Sequence, residues 1–197
     1  MAGATGVLQH NFVTRDMETD RDSIIDDLAQ LLRPSRQPCV VTMGKFDGVH
    51  DGHRAVLDLA REHAIARGLA VIALTFSPRP DQVLCPGRAL PELLPLPERI
   101  SCLLRAGADD VVVVPFSRRL AAVPALQFVR VLGSELGMQM LCVGEDFALG
   151  RHRAGTVEAL RAAGVEVATT PLVHDYDGVP LSSSAIRRSL VAKAAVV

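Results

Sequence analysis

The chain contains no apolar run of about 18 residues and no basic-then-apolar leader, so export and a membrane span are not expected. An excess of cations is missing as well. The formal net charge is −1, which excludes a general duplex-DNA binder relying on many Lys and Arg to neutralise phosphates. Nucleic acid is therefore not an expected partner, and Arg151-His152-Arg153 and Arg187-Arg188 stand as local basic clusters. Closely spaced cysteine pairs are absent, since Cys39, Cys85, Cys102 and Cys142 lie far apart. That spacing lacks the pattern of a structural zinc or redox site, and three of the four lie in or beside apolar runs. Reduced, mostly buried thiols in a cytoplasmic protein are the expectation. Neither a Gly-rich loop ending in Gly-Lys-Ser/Thr nor a Gly-x-Gly-x-x-Gly run occurs, so nucleotide binding would need another device. No internal repeat is visible.

At 197 residues and 49% hydrophobic, the chain suits one α/β domain with a sizeable core. Its organising stretch is Cys39 to Leu57. A short apolar run to Met43 gives way to Gly44, Gly48 and Gly52 and then to helical periodicity, which reads as strand, tight loop, helix. Upstream, Ile24, Ile25, Leu28, Leu31 and Leu32 recur at three and four, predicting an amphipathic helix with Thr19 or Asp20 as cap. Residues 1–17 have no periodicity beyond a loose strand around Val7 to Val13. Downstream, strands are expected at 70–76, 110–115, 140–143 and 165–170, with helices at 98–105, at 119–133 extending toward Leu136, and at 156–163. Pro124 marks a start or a kink in the second of these helices. Tyr176-Asp177-Gly178 reads as a turn, and Ser182 to Leu190 as a final helix. The predicted fold is a Rossmann-like, doubly wound, parallel five-stranded sheet. Residues 77–97, with six prolines, begin where open parallel sheets place ligands.

Two segments carry chemistry. His50 and His53 are three apart at a helix start, where unpaired N–H groups favour an anion and both imidazoles can face it. A metal would need a third ligand beyond Asp47 or Asp51, so polyphosphate is the better guest. Far downstream, Ser183 and Ser184 offer hydroxyls at a helix start, and Arg187 follows on the same face, forming a second phosphate-binding candidate.

Thr42-Met43-Gly44-Lys45-Phe46-Asp47-Gly48-Val49-His50-Asp51-Gly52-His53 resembles the signature of the bacterial FAD synthetases, in the flavokinase/FMN adenylyltransferase family. The likeness continues through 75–80, 143–150 and 181–187. It implies a nucleotidyltransferase domain over 39–190, preceded by an extension at 1–38 and followed by a tail at 191–197. It also implies transfer of AMP from ATP to FMN, with Mg2+ and ATP as co-substrate. His50, His53 and Arg187 would act on the phosphates, with Ser183 and Ser184 beside them. Gly44, Phe46, Asp47 and Gly48 would line the nucleotide, while Phe76, Asp146 and Phe147 would face the acceptor. Three departures lie where the family has other residues: Lys45, Ser77-Pro78-Arg79 in place of an acidic residue, Pro and His, and Leu149 in place of Phe. Lys45 and Arg79 suit an acceptor with more negative charge or less aromatic surface, so the alternative is a nucleotidyltransferase of the same fold using CTP or ATP as donor with a different phosphate or phosphonate acceptor. A riboflavin kinase domain is not expected within these residues. A single-domain enzyme and a fragment stay equally open, as do monomer and homodimer.

Overall fold

The computed structural model describes residues 21–173 together with Ser183, Ile186 and Arg187. The expectations for residues 1–20, Ser184, Arg188, the turn at Tyr176 and most of the last helix lie outside these. Described helices are α1 (Arg21–Leu32), α2 (Asp51–Arg67), α3 (Pro80–Leu84), α4 (Leu96–Arg105), α5 (Arg118–Ala121), α6 (Ala125–Val131) and α7 (Val157–Ala162). Strands are β1 (Cys39–Met43), β2 (Ala70–Ser77), β3 (Asp110–Pro115), β4 (Met138–Gly144), β5 (Ala148–Leu149), β6 (Gly155–Thr156) and β7 (Val167–Thr170).

The main sheet is parallel throughout, in the order β3-β2-β1-β4-β7, and β5 pairs antiparallel with β6 as a separate short ribbon. Strand side chains alternate between two cores because successive Cβ atoms leave opposite faces. Cys39, Val41, Met43, Ile72, Leu74, Leu141 and Val143 face one layer, together with Leu28 and Leu32 of α1 and Phe128 of α6. Val40, Val71, Ala73, Met140 and Cys142 face the other, against Leu57, Ala60 and Ala64 of α2 and Leu103 of α4. Burial on both faces is why the strands read as nearly continuous apolar runs. Cys39 and Cys142 lie in these cores, and burial pushes both thiols up to about 12. All four cysteines are free. Among the described residues no helix is long and apolar enough to cross a membrane.

Chain direction across the sheet reverses between β1 and β4, and the crevice at their carboxyl ends is the place where such sheets take ligands. Both the His50/His53 turn and the 145–153 loop open from it. Two expectations need correction. The single helix over 119–136 is three pieces: α5, α6 and a wide turn at Leu132–Leu136. Pro124, with φ −58, stands at the cap of α6; its missing N–H breaks the ladder there, so it starts a helix rather than kinking one. The last strand of the sheet begins at Val167, two residues later than its apolar run.

Gly137 ends the wide turn with φ 88. The turn is stitched to the start of β1, with Gln37 N donating to Leu136 O and Cys39 N to Gly137 O. A Cβ at Gly137 would lie 2.4 Å from Gln37 O, which is backbone and cannot rotate away. Gly137→Ala combines that overlap with a left-handed φ, and a loss of about 3 kcal/mol is expected. A urea unfolding midpoint indistinguishable from that of the parent chain would contradict it.

Candidate active site

The loop after β1 is held in an unusual backbone. Phe46, Gly48 and Val49 all have positive φ, at 50, 95 and 37. A Cβ at Gly48 would come within 3.0 Å of Leu93 Cδ1, so the 77–97 segment packs directly on this turn. The strain delivers His50 to the cap of α2, where its carbonyl accepts from His53 N at 2.8 Å and Arg54 N at 3.1 Å. The two imidazoles stack, with centroids 3.8 Å apart and planes at 25°. Phe46, itself buried, meets the His53 ring edge-on at 5.1 Å.

Both Nδ1 atoms are buried, and among the described residues neither has a hydrogen-bond partner. Burial, then the neighbouring His50 and Lys45, pushes the His53 pKa down from 6.5 to about 3. His50 is lowered too, again by burial, with Asp51 opposing. Two neutral imidazoles with unspent polar atoms at a helix start form an anion pole: each can donate an N–H, and the helix contributes free amides.

The distant second segment meets the loop leading into this pole, at Asp47. Ser183 Oγ donates to the Asp47 carbonyl at 2.6 Å. Arg187 donates through Nη2 to the Asp47 carboxylate and through Nε to Pro91 O at 2.8 Å. Asp47 is only 1% exposed, and its other oxygen accepts from Leu93 N at 2.8 Å and Leu94 N at 3.2 Å. Phe46 and Asp47, expected to line a nucleotide, are thus buried beneath the turn and shape it from behind.

Arg79 is also 1% exposed. Its Nη1 donates to Asp47 Oδ2, and its Nη2 donates to Asp81 Oδ2 at 2.9 Å and to Leu90 O. The expectation that Arg79 meets the acceptor is therefore corrected: a carboxylate far away in sequence draws the guanidinium inward.

On the other side of Gly44 and Lys45 lies a cavity of about 760 Å³. Of the acceptor-side candidates, Lys45, Phe76, Asp146 and Phe147 line it, and Arg79 does not. Phe116 and Phe128 line it as well, with Phe116 meeting Phe76 edge-on at 5.6 Å. These two rings escaped the sequence reading; Phe116 carried a usable signal, since it directly follows the carboxyl end of β3. They supply aromatic surface where Leu149 lacks it. Arg118, Arg151 and Arg153 add positive charge to the lining, which also includes His152, with His152 and Arg153 at positive φ and Arg153 Nη2 donating to Asp146 O at 3.3 Å. Gly150 is needed here: φ is 73 and a Cβ would sit 2.6 Å from Ala125 N.

Among the described residues no group of three His, Cys, Asp or Glu could hold a metal ion. That donor set does not make a resident cage. Mg2+ commonly keeps several waters and takes its remaining oxygens from substrate phosphates, so the residues are compatible with magnesium entering on a nucleotide.

An α/β sheet with an anion pole at its switch point and a cavity beside it places the chain in the doubly wound α/β class. Residues 32–185 match the family model described as FAD synthetase, and the chain belongs to that family. It is 38% identical over 165 residues to the bifunctional riboflavin kinase/FMN adenylyltransferase of Pseudomonas fluorescens, covering 82% of this chain and 53% of that protein. The protein of the same description from Escherichia coli K12 is 36% identical over 171 residues, covering 85% and 55%. The chain thus spans about half the length of these curated relatives. A Streptococcus pneumoniae crystal structure described as a macrolide-efflux protein is 28% identical with a TM-score of 0.68, over 78% of this chain and 52% of that one. Pantoate-beta-alanine ligase from Francisella tularensis, complexed with beta-gamma ATP and beta-alanine, shares the fold at 17% identity and TM-score 0.54, over 83% and 70%.

Proposed function

We propose that this chain transfers AMP from ATP to FMN, giving FAD and pyrophosphate. The observation that carries this reading is the adjacency of an anion pole, built from His50 and His53, to a phenylalanine-lined cavity of about 760 Å³ reached through Gly44 and Lys45. A nucleotide triphosphate suits the first and a flavin ring the second, a volume within the usual range for cofactor sites.

In the reaction a phosphate oxygen of FMN attacks the α-phosphorus of ATP in line. The new P–O bond forms as the bond to the β-phosphate's bridging oxygen breaks, and pyrophosphate departs with that electron pair. The nucleophile is already ionised near neutral pH, so no protein nucleophile or general base is required. The protein's task is to align the two phosphates and offset charge as it moves toward the leaving group. His50 and His53 donate to the phosphates from the start of α2. Arg187 and Ser183 close on the β- and γ-phosphates from the second segment, a role that the sequence extends to Ser184. Gly44 and Gly48 let the backbone come close to the nucleotide. Phe76 and Phe147, with Phe116 and Phe128, hold the flavin ring, and Asp146 stands at the acceptor end. Magnesium, carried on the nucleotide, supplies further charge neutralisation.

Lys45, with its side chain 54% exposed, and the Arg118 and Arg151–Arg153 cations of the cavity favour a second reading, in which the acceptor carries more negative charge than FMN or CTP replaces ATP. The deciding experiment offers purified protein ATP, magnesium and FMN and follows pyrophosphate release and FAD by chromatography. FAD with equimolar pyrophosphate is expected. Pyrophosphate release only with CTP, or only with another phosphate or phosphonate, would replace the FMN reading with the second.

A further inference from the structure

Asp47 holds two guanidiniums on one buried carboxylate. Arg79 and Arg187 both donate to its Oδ2, and the backbone amides of Leu93 and Leu94 satisfy Oδ1. In this position Arg187 Nε is spent on Pro91 O and Nη2 on Asp47, so a two-nitrogen fork onto a triphosphate, which needs one or other of them, requires the guanidinium to leave the carboxylate. Binding must therefore exchange one anion for another, and the carboxylate left behind is only 1% exposed. A buried carboxylate stripped of its cation costs several kcal/mol.

Arg79 removes that cost. It stays when Arg187 leaves, anchored by Asp81 Oδ2 and Leu90 O as well as by Asp47, so the carboxylate keeps one full counter-charge and two amides. We infer that Arg79 is a positioning residue for nucleotide binding: it is the permanent counter-ion of Asp47, and it leaves Arg187 free to exchange from that carboxylate to the triphosphate. The inference rests on the proposed role of Arg187 at the β- and γ-phosphates. It assigns Arg79 to the donor side of the reaction through Asp47, with no contact to either substrate.

Without Arg79, Arg187 would be the one guanidinium still hydrogen-bonded to the Asp47 carboxylate, with Arg99 acting on it only through space, and Asp47 would hold Arg187 harder. The fraction of chains with Arg187 available falls, and apparent nucleotide affinity falls with it. The test is a cycle of four proteins, parent, Arg79→Gln, Arg187→Ala and the double variant, each titrated calorimetrically with α,β-methylene ATP and magnesium, alongside steady-state kinetics. Arg79→Gln is expected to weaken binding by about tenfold, raising the KM for ATP while leaving kcat at saturating ATP within about twofold and the KM for FMN unchanged. In the Arg187→Ala background the same change should have no further effect, because nothing is left to release. Arg79→Lys, which keeps a charge on Asp47, should stay within about threefold of the parent.

Equal weakening by Arg79→Gln with and without Arg187 would overturn the inference, as would a rise confined to the KM for FMN. Should Arg79→Gln fail to fold, the cycle runs with Arg79→Lys: a lowered melting temperature with retained affinity supports the counter-ion role, and equal loss of affinity in both backgrounds rejects it. If Arg187→Ala alone leaves nucleotide binding intact, the reading of Arg187 falls instead, a result distinct from failure of the Arg79 step.

Discussion

Replacing His53 by Ala is expected to lower kcat by about 10²–10³-fold, the size seen when one donor to developing charge is removed, with the KM for ATP moving far less. His53 lies at the third position of α2, stacked on His50 and braced edge-on by Phe46, so its ring cannot swing to follow a ligand. A donor fixed in advance contributes most where charge grows during the reaction, at the oxygens of the departing pyrophosphate, and least to ground-state binding. A change confined to FMN affinity would put His53 on the wrong substrate.

The same burial gives His53 a pH signature in stability. Its folded pKa of about 3 lies below the ordinary 6.5, so between these values the unfolded chain binds a proton that the folded chain does not. The stability from keeping this ring neutral is complete above about pH 6.5 and drains away as pH falls toward 3, at up to about 1.4 kcal/mol per pH unit. Urea midpoints at pH 7 and pH 5 should therefore lie closer together in His53→Ala than in the parent. A bound triphosphate adds negative charge beside the ring and opposes the depression.

What could be read from the sequence was whatever local pattern determines. The strands β1, β2 and β3 announce themselves because both faces are buried, and Gly68, observed at φ 66, marks the end of α2 by its own chemistry. The histidine pair and the Ser183/Arg187 pair could be nominated because each sits at a helix start with the residue types an anion needs. The docking of the second pair on Asp47, in the loop that leads to the histidines and 140 positions from Arg187, lies beyond any local pattern. Arg79 illustrates the limit well. In a proline-rich loop a cation reads as solvated or as facing a ligand, and only the folded chain brings Asp47 to it. The broken helix at 118–136 has a similar origin: apolar spacing runs on through Pro124, while the backbone cannot. Phe128 was hidden within that same pattern, where a ring on an apolar helix face looks like any core residue.

Arg99 was invisible for the same reason, and its replacement carries the other large expected effect. It sits on α4 with no exposed surface. Its Nη1 donates to Lys45 O at 3.2 Å, Thr75 Oγ1 at 3.3 Å and Phe76 O at 3.0 Å, and its Nη2 reaches Glu92 Oε1 at 3.4 Å. Burial lowers its pKa, with Glu92 and Asp47 opposing. These contacts tie the end of β2 to the loop after β1, the two backbones that carry Phe76 and Lys45 to the cavity. In Arg99→Met the desolvation cost of the guanidinium is recovered, which argues for a mild effect. Against that, Lys45 O loses one of its two donors and Phe76 O its charged donor, each costing about 1–3 kcal/mol when left buried, while Glu92, on the surface, loses a partner of little weight. The losses outnumber the gain, so a net destabilisation of about 3 kcal/mol is expected. Because the freed carbonyls belong to Lys45 and Phe76, whose segments carry the proposed donor and acceptor sites, kcat/KM for ATP and for FMN should fall together in whatever protein stays folded. Arg99→Lys, with one ammonium in place of a fork, should recover part of the stability but less of the activity. A stable Arg99→Met enzyme with parental kinetics would mean that the two loops hold their positions without it.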